Sequence, residues 1–341
     1  MRRARSEDRL TILTSPYPER YPDNSYLELL YGSMAARLRP LTPIELLRAR
    51  KPAVAHVHWP DTMLTAPGRV KGYAKAVRGL AMIATAKLRG IPLVQTVHNV
   101  EPHDGVQPPY RLWRDAWARA TDGHVFLTEL SRDKAAARPW WRARPSLIAR
   151  HGFYTHLSKG EANGRDDGAP VLLIFGNVRP YKRIEALLPV FAAADLPCDL
   201  LIAGKAGPAY PAGVLRQAVA ATPRARWRDE RLDDAEAAEL VAGAGAVLVP
   251  QPSFDNSGPV FFALSLGTPL VLADSREARA LQADFPAWIA LYRYGDPASL
   301  RQALDALASG SRPDRPDVPE AYAWPSIARA HLDFFASLIR R

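Results

Sequence analysis

Cysteine is nearly absent from this 341-residue sequence, since Cys198 is the only one. A lone cysteine can form neither an internal disulfide nor a cysteine-rich metal site, so nothing in the sequence favours an oxidising compartment. Long apolar runs are also lacking, because none approaches the ~20 residues that a membrane-spanning helix needs. The basic N-terminal segment is not followed by the apolar stretch of a secretion signal. We therefore expect a cytoplasmic protein without a membrane-spanning segment.

Three common enzyme motifs are missing as well. The sequence has no GxxxxGKS/T phosphate-binding loop, no GxGxxG after an early strand and no GxSxG nucleophile turn. These absences disfavour nucleotide hydrolysis, nicotinamide chemistry and an α/β-hydrolase. With 48% hydrophobic and 23% charged residues, the composition is that of an ordinary globular protein, and the length predicts two domains.

Basic residues are concentrated in the first half of the chain. Residues 1–160 contain 26 Lys and Arg against 13 Asp and Glu, whereas residues 161–341 contain 19 against 22, within a net charge of +10. Such an asymmetry indicates an anionic partner for the first half, which composition leaves open as nucleic acid, a membrane leaflet or a phosphorylated acceptor. Nucleic-acid-binding motifs are not present, so we expect no nucleic acid partner.

Residues 69–89 carry six basic side chains and no acidic one. Apolar residues recur among them at helical spacing, which predicts a basic amphipathic helix. Two interpretations stay open: the helix lies on an anionic membrane surface, at the inner face of the cell membrane, or it packs its apolar side into a core. The basic residues are Arg69, Lys71, Lys75, Arg78, Lys87 and Arg89, and the apolar ones are Val70, Tyr73, Val77, Leu80 and Ala84.

Short β-rich runs alternate with helical patterns along the chain, which predicts an α/β fold of parallel sheets covered by helices. A polar, glycine-rich stretch at 157–169 is predicted to link two such halves. Ligands bind at the carboxyl ends of the strands in doubly wound sheets, so we expect the active site in a cleft between the halves. The predicted strands are 10–14, 54–58, 93–98, 123–127, 171–175, 198–203, 225–228, 246–250 and 269–273, and the predicted helices are 25–37, 69–89, 111–120, 183–194, 213–221, 235–242, 258–266 and 297–308.

The segment TVHNVEPHD, residues 96–104, places His98 at the end of a predicted strand. A neutral histidine there can donate to a substrate hydroxyl or take part in proton transfer near pH 7; alternatively, its ring is hydrogen-bonded within a turn. Glu101 and Asp104 lie close to it in the sequence and are further candidate bases for an acceptor hydroxyl. The spacing does not present three metal ligands on one element, so we expect no metal site.

Two further strand ends carry groups suited to phosphate. After the strand that ends at Gly176 come Arg179 and Lys182 and then a helix start, which places two cations and backbone N–H groups at one point, as a diphosphate requires. The NSG segment at 256–258 precedes another predicted helix, whose N-terminus offers unpaired N–H donors and about half a positive charge. The alternatives are a basic surface loop for the first segment and ordinary helix capping for the second.

The chain carries six short motifs in order: HVHWP at 56–60, TVHN at 96–99, FGNVRPYKR at 175–183, LLIAG at 200–204, NSGPVFFALSLGTPLV at 256–271 and AYAWPSIA at 321–328. Their order and spacing resemble those of bacterial GT-B glycosyltransferases of the family 4 type, similar to exopolysaccharide mannosyltransferases. The resemblance implies two Rossmann-like domains whose parallel sheets face each other across a cleft. It implies an acceptor-binding domain at 1–160, a nucleotide-sugar-binding domain at 161–320, and a C-terminal helix at 321–341 that packs back on the first domain.

The activity implied by this resemblance is transfer of a sugar from a nucleotide-diphosphate donor to a glycan or lipid-linked acceptor, in cell-surface or exopolysaccharide synthesis. The reaction needs no metal and no other cofactor, and GDP-mannose is the first donor we expect. Position by position, Lys182 matches the lysine that contacts the diphosphate, and His98 matches the histidine near the transferred sugar. Asn256, Ser257 and Gly258 match the loop that meets the phosphates and the sugar.

The sequence departs from the family pattern at two places. Asn177 stands where the family has an arginine, two residues before Arg179. The family's two glutamates, eight residues apart, fall on Phe254 and Phe262, and Asp255 can replace the first with a shift of one residue. A catalytically silent nucleotide- or glycan-binding GT-B protein is therefore an alternative. A nucleotide-sugar epimerase is less favoured, because it would not explain a basic first half.

Overall fold

The computed structural model describes residues 10–21, 24–60, 69–100, 108–157, 170–207, 210–252, 257–310 and 315–340. The chain divides into two compact units, Met1–Gly152 with Pro319–Arg341 and Phe153–Val318. Each unit contains a six-stranded parallel sheet with helices packed against it. The predicted α/β fold of two parallel sheets is therefore confirmed.

The described part of the first unit is built on a sheet with the following strands: β1 (Thr11–Ser15), β2 (Arg37–Pro40), β3 (Ala53–Val57), β4 (Leu93–Val97), β5 (Gly123–Phe126) and β6 (Ser146–Ile148). Their order is β2-β1-β3-β4-β5-β6, and every pair is parallel. Helices connect them: α1 (Ser25–Gly32), α2 (Pro43–Arg48), α3 (Arg69–Leu88), α4 (Pro108–Ala120) and α5 (Glu129–Ala136). A strand such as β3 is buried over its whole length and is mostly apolar, because helices cover both faces of a parallel sheet.

The second unit repeats this plan with strands β7 (Val171–Phe175), β8 (Asp199–Ala203), β9 (Ala225–Arg228), β10 (Ala246–Val249), β11 (Leu270–Ala273) and β12 (Ile289–Tyr292). All are parallel, in the order β12-β11-β10-β7-β8-β9. The helices are α6 (Ile184–Ala194), α7 (Ala212–Ala220), α8 (Asp234–Gly243), α9 (Gly258–Ser265), α10 (Arg276–Asp284) and α11 (Pro297–Ser309). Leucine, isoleucine and valine of the central strands pack with α6, α7 and α11 into one core.

The last helix, α12 (Trp324–Ile339), belongs to the first unit although it follows the second unit in the sequence. Its buried side chains, which include Ile327 and Phe335, pack against α1, β3 and β6. Gly152 lies against Trp324, whose ring comes within 2.4 Å of the position that a Cβ on Gly152 would occupy. A residue larger than glycine would therefore push this helix away from the sheet.

Two predicted helix boundaries in the first unit are wrong. The helix predicted at 25–37 ends at Gly32, and Arg37 begins the edge strand β2, in which exposed arginines alternate with the half-buried Leu38 at the period of a strand. The helix predicted at 111–120 begins earlier, at Pro108. In both places the sequence pattern is too short to fix where the element ends.

Six of the named helices and strands have no counterpart among the predictions: β2, α2, α5, β6, α10 and β12. They are 3 to 9 residues long and so offer few positions at which a hydrophobic period can show. Of the linker predicted at 157–169, residues 158–169 lie outside the described residues.

Helix α3 corresponds to the predicted basic amphipathic helix, but its apolar stripe faces solvent. Tyr73, Val77 and Leu80 are 60%, 66% and 48% exposed, whereas Met82 and Ala86 on another face are buried against the unit. The apolar residues named from the sequence therefore do not pack into the core, but α3 itself is packed against the core through Met82 and Ala86. Over the described ranges, α3 and the other helices are too short or too polar to span a bilayer.

Each sheet has one point at which the strand order reverses. In the first unit the chain leaves β1 for β2 on one side and then passes to β3 on the other, and in the second unit β7 stands in the same way between β8 and β10. In open parallel sheets, the connections diverge at such a point and leave a crevice at the carboxyl ends of the two strands. Ligand groups are therefore expected after β1 and β3 in the first unit, and after β7 and β10 in the second.

The crevice after β7 depends on close contact between two glycines. A Cβ on Gly204 would lie 2.3 Å from the carbonyl oxygen of Gly176, and Gly204 has a φ of +154°. We expect Gly204→Ala to lower the free energy of unfolding by about 1–3 kcal/mol, because backbone atoms would have to move. Urea denaturation of both proteins measures this difference.

Gly213→Ala is the matched control, because a Cβ there meets no atom within 4 Å and Gly213 lies in α7. This variant should be unchanged in stability or more stable by up to about 1 kcal/mol. Equal unfolding midpoints for the two variants would contradict the packing at Gly204.

Candidate functional site

Lys182 lies at the carboxyl end of β7, inside the second unit. A short 3₁₀ turn at Pro180–Lys182 directs its side chain inward, where it is only 5% exposed and Nζ donates to the carbonyl oxygen of Phe175 at 3.2 Å. None of the ion pairs between described residues includes Lys182. A buried ammonium that is bonded only to a neutral carbonyl attracts an anion strongly.

The pKa of Lys182 is lowered from its ordinary value to about 8. Burial is the larger cause, and the nearby positive charge of Arg179 acts in the same direction. The amine is therefore mostly protonated at neutral pH, at a cost in desolvation. An anion that enters beside it would favour the charged form and raise this pKa. Lys182 is thus suited to recognise a negatively charged ligand.

Gly176 lies between Lys182 and the first turn of α9. A Cβ on Gly176 would be 3.6 Å from Nζ of Lys182 and 3.7 Å from Cγ of Pro259. Gly176 also has a φ of +86°, which glycine adopts without strain. The structure therefore brings together Gly176, Lys182 and the start of α9. The Arg179 guanidinium lies instead over Gly207, with Nη1 2.7 Å from where a Cβ on Gly207 would stand.

The N-terminus of α9 supplies the second part of this cluster. Ser257 is the N-cap residue and is buried, but its side chain makes no capping hydrogen bond to the helix, and Gly258 and Pro259 follow it. Pro259 has no N–H, and Val260 donates its N–H to the carbonyl oxygen of Ser257 at 3.0 Å, so the Gly258 N–H is the first-turn donor left without a partner among the described residues. The helix dipole favours a negative acceptor there. Asp255 and Asn256, the other candidates of this segment, lie outside the described residues, as does Phe254.

Tyr154 is a site residue that the sequence analysis misses. Its hydroxyl lies 3.2 Å from the position of a Cβ on Gly258, and its backbone N–H donates to Oγ of Ser265 at 2.8 Å. Burial raises the pKa of this phenol, so it stays a neutral donor. The only signal in the sequence is an aromatic residue just before the predicted linker, which does not reveal that Tyr154 packs beside α9.

Phe262, which replaces a family glutamate, is buried in the second unit. Its ring contacts Tyr154 at a centroid distance of 5.3 Å and Phe175 at 5.4 Å. It forms part of the apolar support under the cluster. A phenyl ring in this place cannot accept a hydrogen bond from a ribose.

The candidate cluster of the first unit is made of histidines and a tyrosine. His56 lies in β3, His58 follows it, and His98 follows β4, while Tyr31 comes from α1. Tyr31 Oη lies 2.8 Å from Nδ1 of His56 and 2.9 Å from Nε2 of His58, and Nδ1 of His58 lies 3.1 Å from Nε2 of His98. These bonds connect His98, which follows β4, to buried polar groups beside the reversal point between β1 and β3.

Aromatic rings fix the orientation of His98. Trp59 stacks on it with centroids 4.3 Å apart and planes 22° apart, and Tyr26 meets it edge-on at 5.0 Å. Of the three residues predicted for proton transfer, His98 is thus held in a defined position, partly open to the surface. Glu101 and Asp104 lie outside the described residues.

The histidines of the first unit are kept neutral. Burial lowers the pKa of His98 to about 3 and those of His151 and His331 to about 4, and it lowers the pKa values of His56 and His58 well below their ordinary range. Neighbouring histidines contribute to the same direction at His98, His56 and His58. Neutral imidazoles donate and accept hydrogen bonds without adding charge, which suits contact with sugar hydroxyls.

Across the described ranges, His, Cys, Asp and Glu side chains form no group of three or more that could hold a metal ion. The histidines instead hydrogen-bond to one another, to hydroxyl groups and to backbone carbonyls.

The chain has close relatives in sequence, although no family model matches it. It is 30% identical over 339 residues to a GDP-mannose:glycolipid 4-beta-D-mannosyltransferase of Xanthomonas campestris pv. campestris, covering 96% of this chain and 93% of that enzyme. A second enzyme of the same name, from X. campestris strain ATCC 33913, is 29% identical over 342 residues with the same coverage. The chain belongs to this family of mannosyltransferases. It is a hexosyltransferase, as the sequence predicts.

Solved glycosyltransferase structures share its fold at low identity. HepE from Anabaena, in complex with UDP and glucose, has a TM-score of 0.60 at 13% identity, with 97% of each chain covered. AviGT4, an enzyme of avilamycin A biosynthesis, has a TM-score of 0.60 at 15% identity, with 97% and 98% covered. WaaG, an enzyme of lipopolysaccharide biosynthesis, has a TM-score of 0.57 at 14% identity, with 95% of each covered. The predicted GT-B fold is confirmed.

The neutral histidines should make the first unit sensitive to acid. They bind protons in the unfolded chain below their ordinary pKa of about 6.5 but not in the folded chain until about pH 4. The free energy of unfolding should therefore fall by up to about 1.4 kcal/mol per histidine per pH unit as the pH drops from 6.5. Urea denaturation at pH 6.5 and 5.5 measures this loss.

His124→Phe is the matched variant, because His124 packs on Trp141 at 4.1 Å and burial lowers its pKa to about 4. A phenyl ring keeps the contact and does not titrate. The variant should lose about 1 kcal/mol less stability than the wild type between pH 6.5 and 5.5, because half of the unfolded His124 is already protonated at pH 6.5. An identical loss in both proteins would show that His124 is protonated in the folded state.

Proposed function

We propose that this enzyme transfers mannose from GDP-mannose to a glycolipid acceptor, and that it needs no metal. The donor and acceptor classes come from the names of the X. campestris relatives. The observation that supports the donor site is the buried ammonium of Lys182 beside Gly176 and the uncapped start of α9. In this proposal the second unit binds the nucleotide sugar and the first unit binds the acceptor.

The catalytic contribution of the second unit is electrostatic. When the bond between mannose and GDP breaks, negative charge builds up on the departing diphosphate. Lys182, the Gly258 N–H and the dipole at the start of α9 would stabilise that charge, with Arg179, Asp255 and Asn256 as further candidates. Preorganised positive groups in a site shielded from water lower the barrier more than they would in water. They supply the charge that a divalent metal provides in other transferases.

The stereochemistry of the relatives supports inversion, because GDP-mannose carries an α-linked sugar and the linkage in their name is β. Inversion in one displacement requires a base for the acceptor hydroxyl. A pKa of about 3 makes His98 a weak base. We therefore assign hydrogen bonding to sugar hydroxyls to His98, and we keep Glu101 and Asp104 as candidate bases.

We further propose that the enzyme reaches its glycolipid as a peripheral protein on the inner face of the cell membrane. The α2–α3 apolar surface, defined by Ile44, Leu47, Tyr73, Val77 and Leu80, has side chains that are 48–66% exposed on two helices in contact. Basic Lys75 and Arg78 are exposed on the same helix as the last three. Apolar and basic side chains together are typical of a surface that binds anionic lipid.

The role of Lys182 predicts a large loss of turnover in Lys182→Met, which keeps most of the side-chain volume and removes the charge. We expect kcat with GDP-mannose to fall by about 10²–10³-fold while the melting temperature stays within a few degrees. GDP release in the presence of a glycolipid acceptor measures kcat. Arg301→Ala, which removes a cation that pairs with Asp195 at the end of α6, should keep wild-type turnover.

GDP binding provides a second measure of the same site. Wild-type affinity should weaken as the pH rises through about 8, because Lys182 loses its proton in the free enzyme, whereas Lys182→Met should lack this change. Near-normal turnover in Lys182→Met would contradict the assignment. GDP-mannose binding without any transfer or hydrolysis would favour the catalytically silent alternative, and unchanged activity in EDTA is expected for a metal-free reaction.

The membrane proposal predicts that the wild-type protein floats with vesicles containing phosphatidylglycerol and not with purely zwitterionic ones. Lys75→Glu combined with Arg78→Glu should reduce the bound fraction strongly, since each basic residue near the surface contributes about 1 kcal/mol. Arg329→Glu with Arg340→Glu, in α12 and at its C-cap, removes the same charge from the same unit and serves as control. Equal flotation of both double variants would disprove a specific role for α3.

A further inference from the structure

A line of hydrogen bonds connects the interior of the first unit to His98. It begins at Thr14 in β1, passes through Tyr31 in α1 and His58 after β3, and ends at His98. The successive distances between donor and acceptor atoms are 2.6, 2.9 and 3.1 Å. Thr14, Tyr31 and His58 are at most 3% exposed, so solvent does not compete for these bonds. The hydrogens along such a line are determined by counting donors and acceptors.

The carbonyl oxygen of Pro16 can only accept, and Oγ1 of Thr14 donates to it at 3.2 Å. The 2.6 Å contact between Thr14 and Tyr31 admits either hydroxyl as donor by geometry, but a hydroxyl has a single hydrogen. With the Thr14 hydrogen directed to Pro16, Tyr31 is the donor to Thr14. If Tyr31 directed its hydrogen elsewhere, two oxygens would face each other at this distance without a hydrogen between them. In a buried place that arrangement costs free energy.

Both histidines that contact Tyr31 must then donate to it. His56 donates from Nδ1 and His58 from Nε2. Each ring is neutral, because burial lowers both pKa values, and a neutral imidazole has one N–H and one acceptor nitrogen. Nε2 of His56 therefore accepts from the Thr96 hydroxyl at 2.7 Å. Nδ1 of His58 is left as an acceptor toward His98.

We propose that this line of bonds holds His98 as the tautomer whose hydrogen is on Nε2 and whose lone pair is on Nδ1. Thr14, Tyr31 and His58 are then positioning residues for the reaction, a role that rests on the proposed function. None of the three is expected to touch substrate.

The tautomer decides what His98 can bind. A lone pair on Nδ1 accepts from O–H or N–H groups and repels the oxygens of a carbonyl or a phosphate. The stacked Trp59 and the edge of Tyr26 hold the ring plane, so the lone pair points in one direction. In this tautomer, a group that bonds to Nδ1 of His98 has to donate a hydrogen, which a sugar hydroxyl can do and a diphosphate cannot.

Nitrogen NMR of histidine-labelled enzyme tests the tautomer directly, because protonated and unprotonated ring nitrogens differ widely in chemical shift. His98→Gln identifies the signals of His98 by their loss. We expect the wild-type enzyme, free of ligands, to carry the hydrogen of His98 on Nε2. A hydrogen on Nδ1 in the wild type would overturn the proposal.

Thr14→Val provides the remote test, because it keeps the side-chain shape and removes the acceptor of the Tyr31 hydrogen. The Tyr31 hydroxyl then donates to His56 or to His58. When His58 accepts at Nε2, its own hydrogen is on Nδ1, from which it donates to His98. We expect a second tautomer of His98, with hydrogen on Nδ1, in Thr14→Val. Thr14→Ser keeps the hydroxyl and should give the wild-type spectrum. An unchanged His98 spectrum in Thr14→Val would contradict the proposal.

Tyr31→Phe is the second variant, should Thr14→Val not fold, and it should also mix the tautomers of His98. In the assay, we expect kcat/KM to fall about 10-fold in Thr14→Val and to stay near wild type in Thr14→Ser. The NMR result requires no substrate, so the two proposals fail separately. The predicted tautomers without any mannosyl transfer would refute the proposed function alone, and transfer with the wrong tautomer would refute this inference alone.

Discussion

Parallel pairing of the described strands is the constraint on which both candidate clusters depend. It brings the carboxyl ends of all strands of a sheet to one edge, and the reversal of strand order opens that edge at one point. In the first unit, His58 follows β3 at the reversal and His98 follows the neighbouring strand β4. In the second unit, Gly176 follows β7 and α9 follows β10 at the reversal. The position of each cluster thus comes from topology and its chemistry from a few loop residues. This explains how HepE and AviGT4 share the fold at 13% and 15% identity.

The two clusters differ in charge: the one in the second unit is cationic, and the one in the first unit is neutral. The second unit buries a charged ammonium, and Arg179 close by makes the charge more costly to keep. The first unit packs histidines that would repel one another if protonated, and burial keeps them neutral. A leaving diphosphate needs positive charge, whereas sugar hydroxyls need neutral donors and acceptors. In the function we propose, this difference between the units matches the two halves of a glycosyl transfer.

Sequence patterns predict the parts of this structure that depend on local rules. Buried strands such as β3 and β7 are apolar runs, and a cation after a strand end, such as Lys182, is visible as a motif. The line from Thr14 to His98 could not be predicted, because its members come from β1, α1, β3 and β4 and meet only in the folded sheet. The exposed side of α3 could not be predicted either. Helical spacing shows that Tyr73 and Val77 share a face, but only the packing of Met82 and Ala86 decides which face is buried.

Phe262 and Tyr154 form one packed unit beside the start of α9. Phe262 contacts Tyr154, whose backbone N–H is held by Ser265 one turn further along α9. These two contacts place the phenol beside Gly258, at the start of the same helix. At the position where the resemblance to family 4 enzymes implies a glutamate, this chain therefore has an apolar ring and, next to it, a neutral hydroxyl donor. A donor beside an uncapped helix N-terminus favours phosphate oxygens, which a carboxylate would repel.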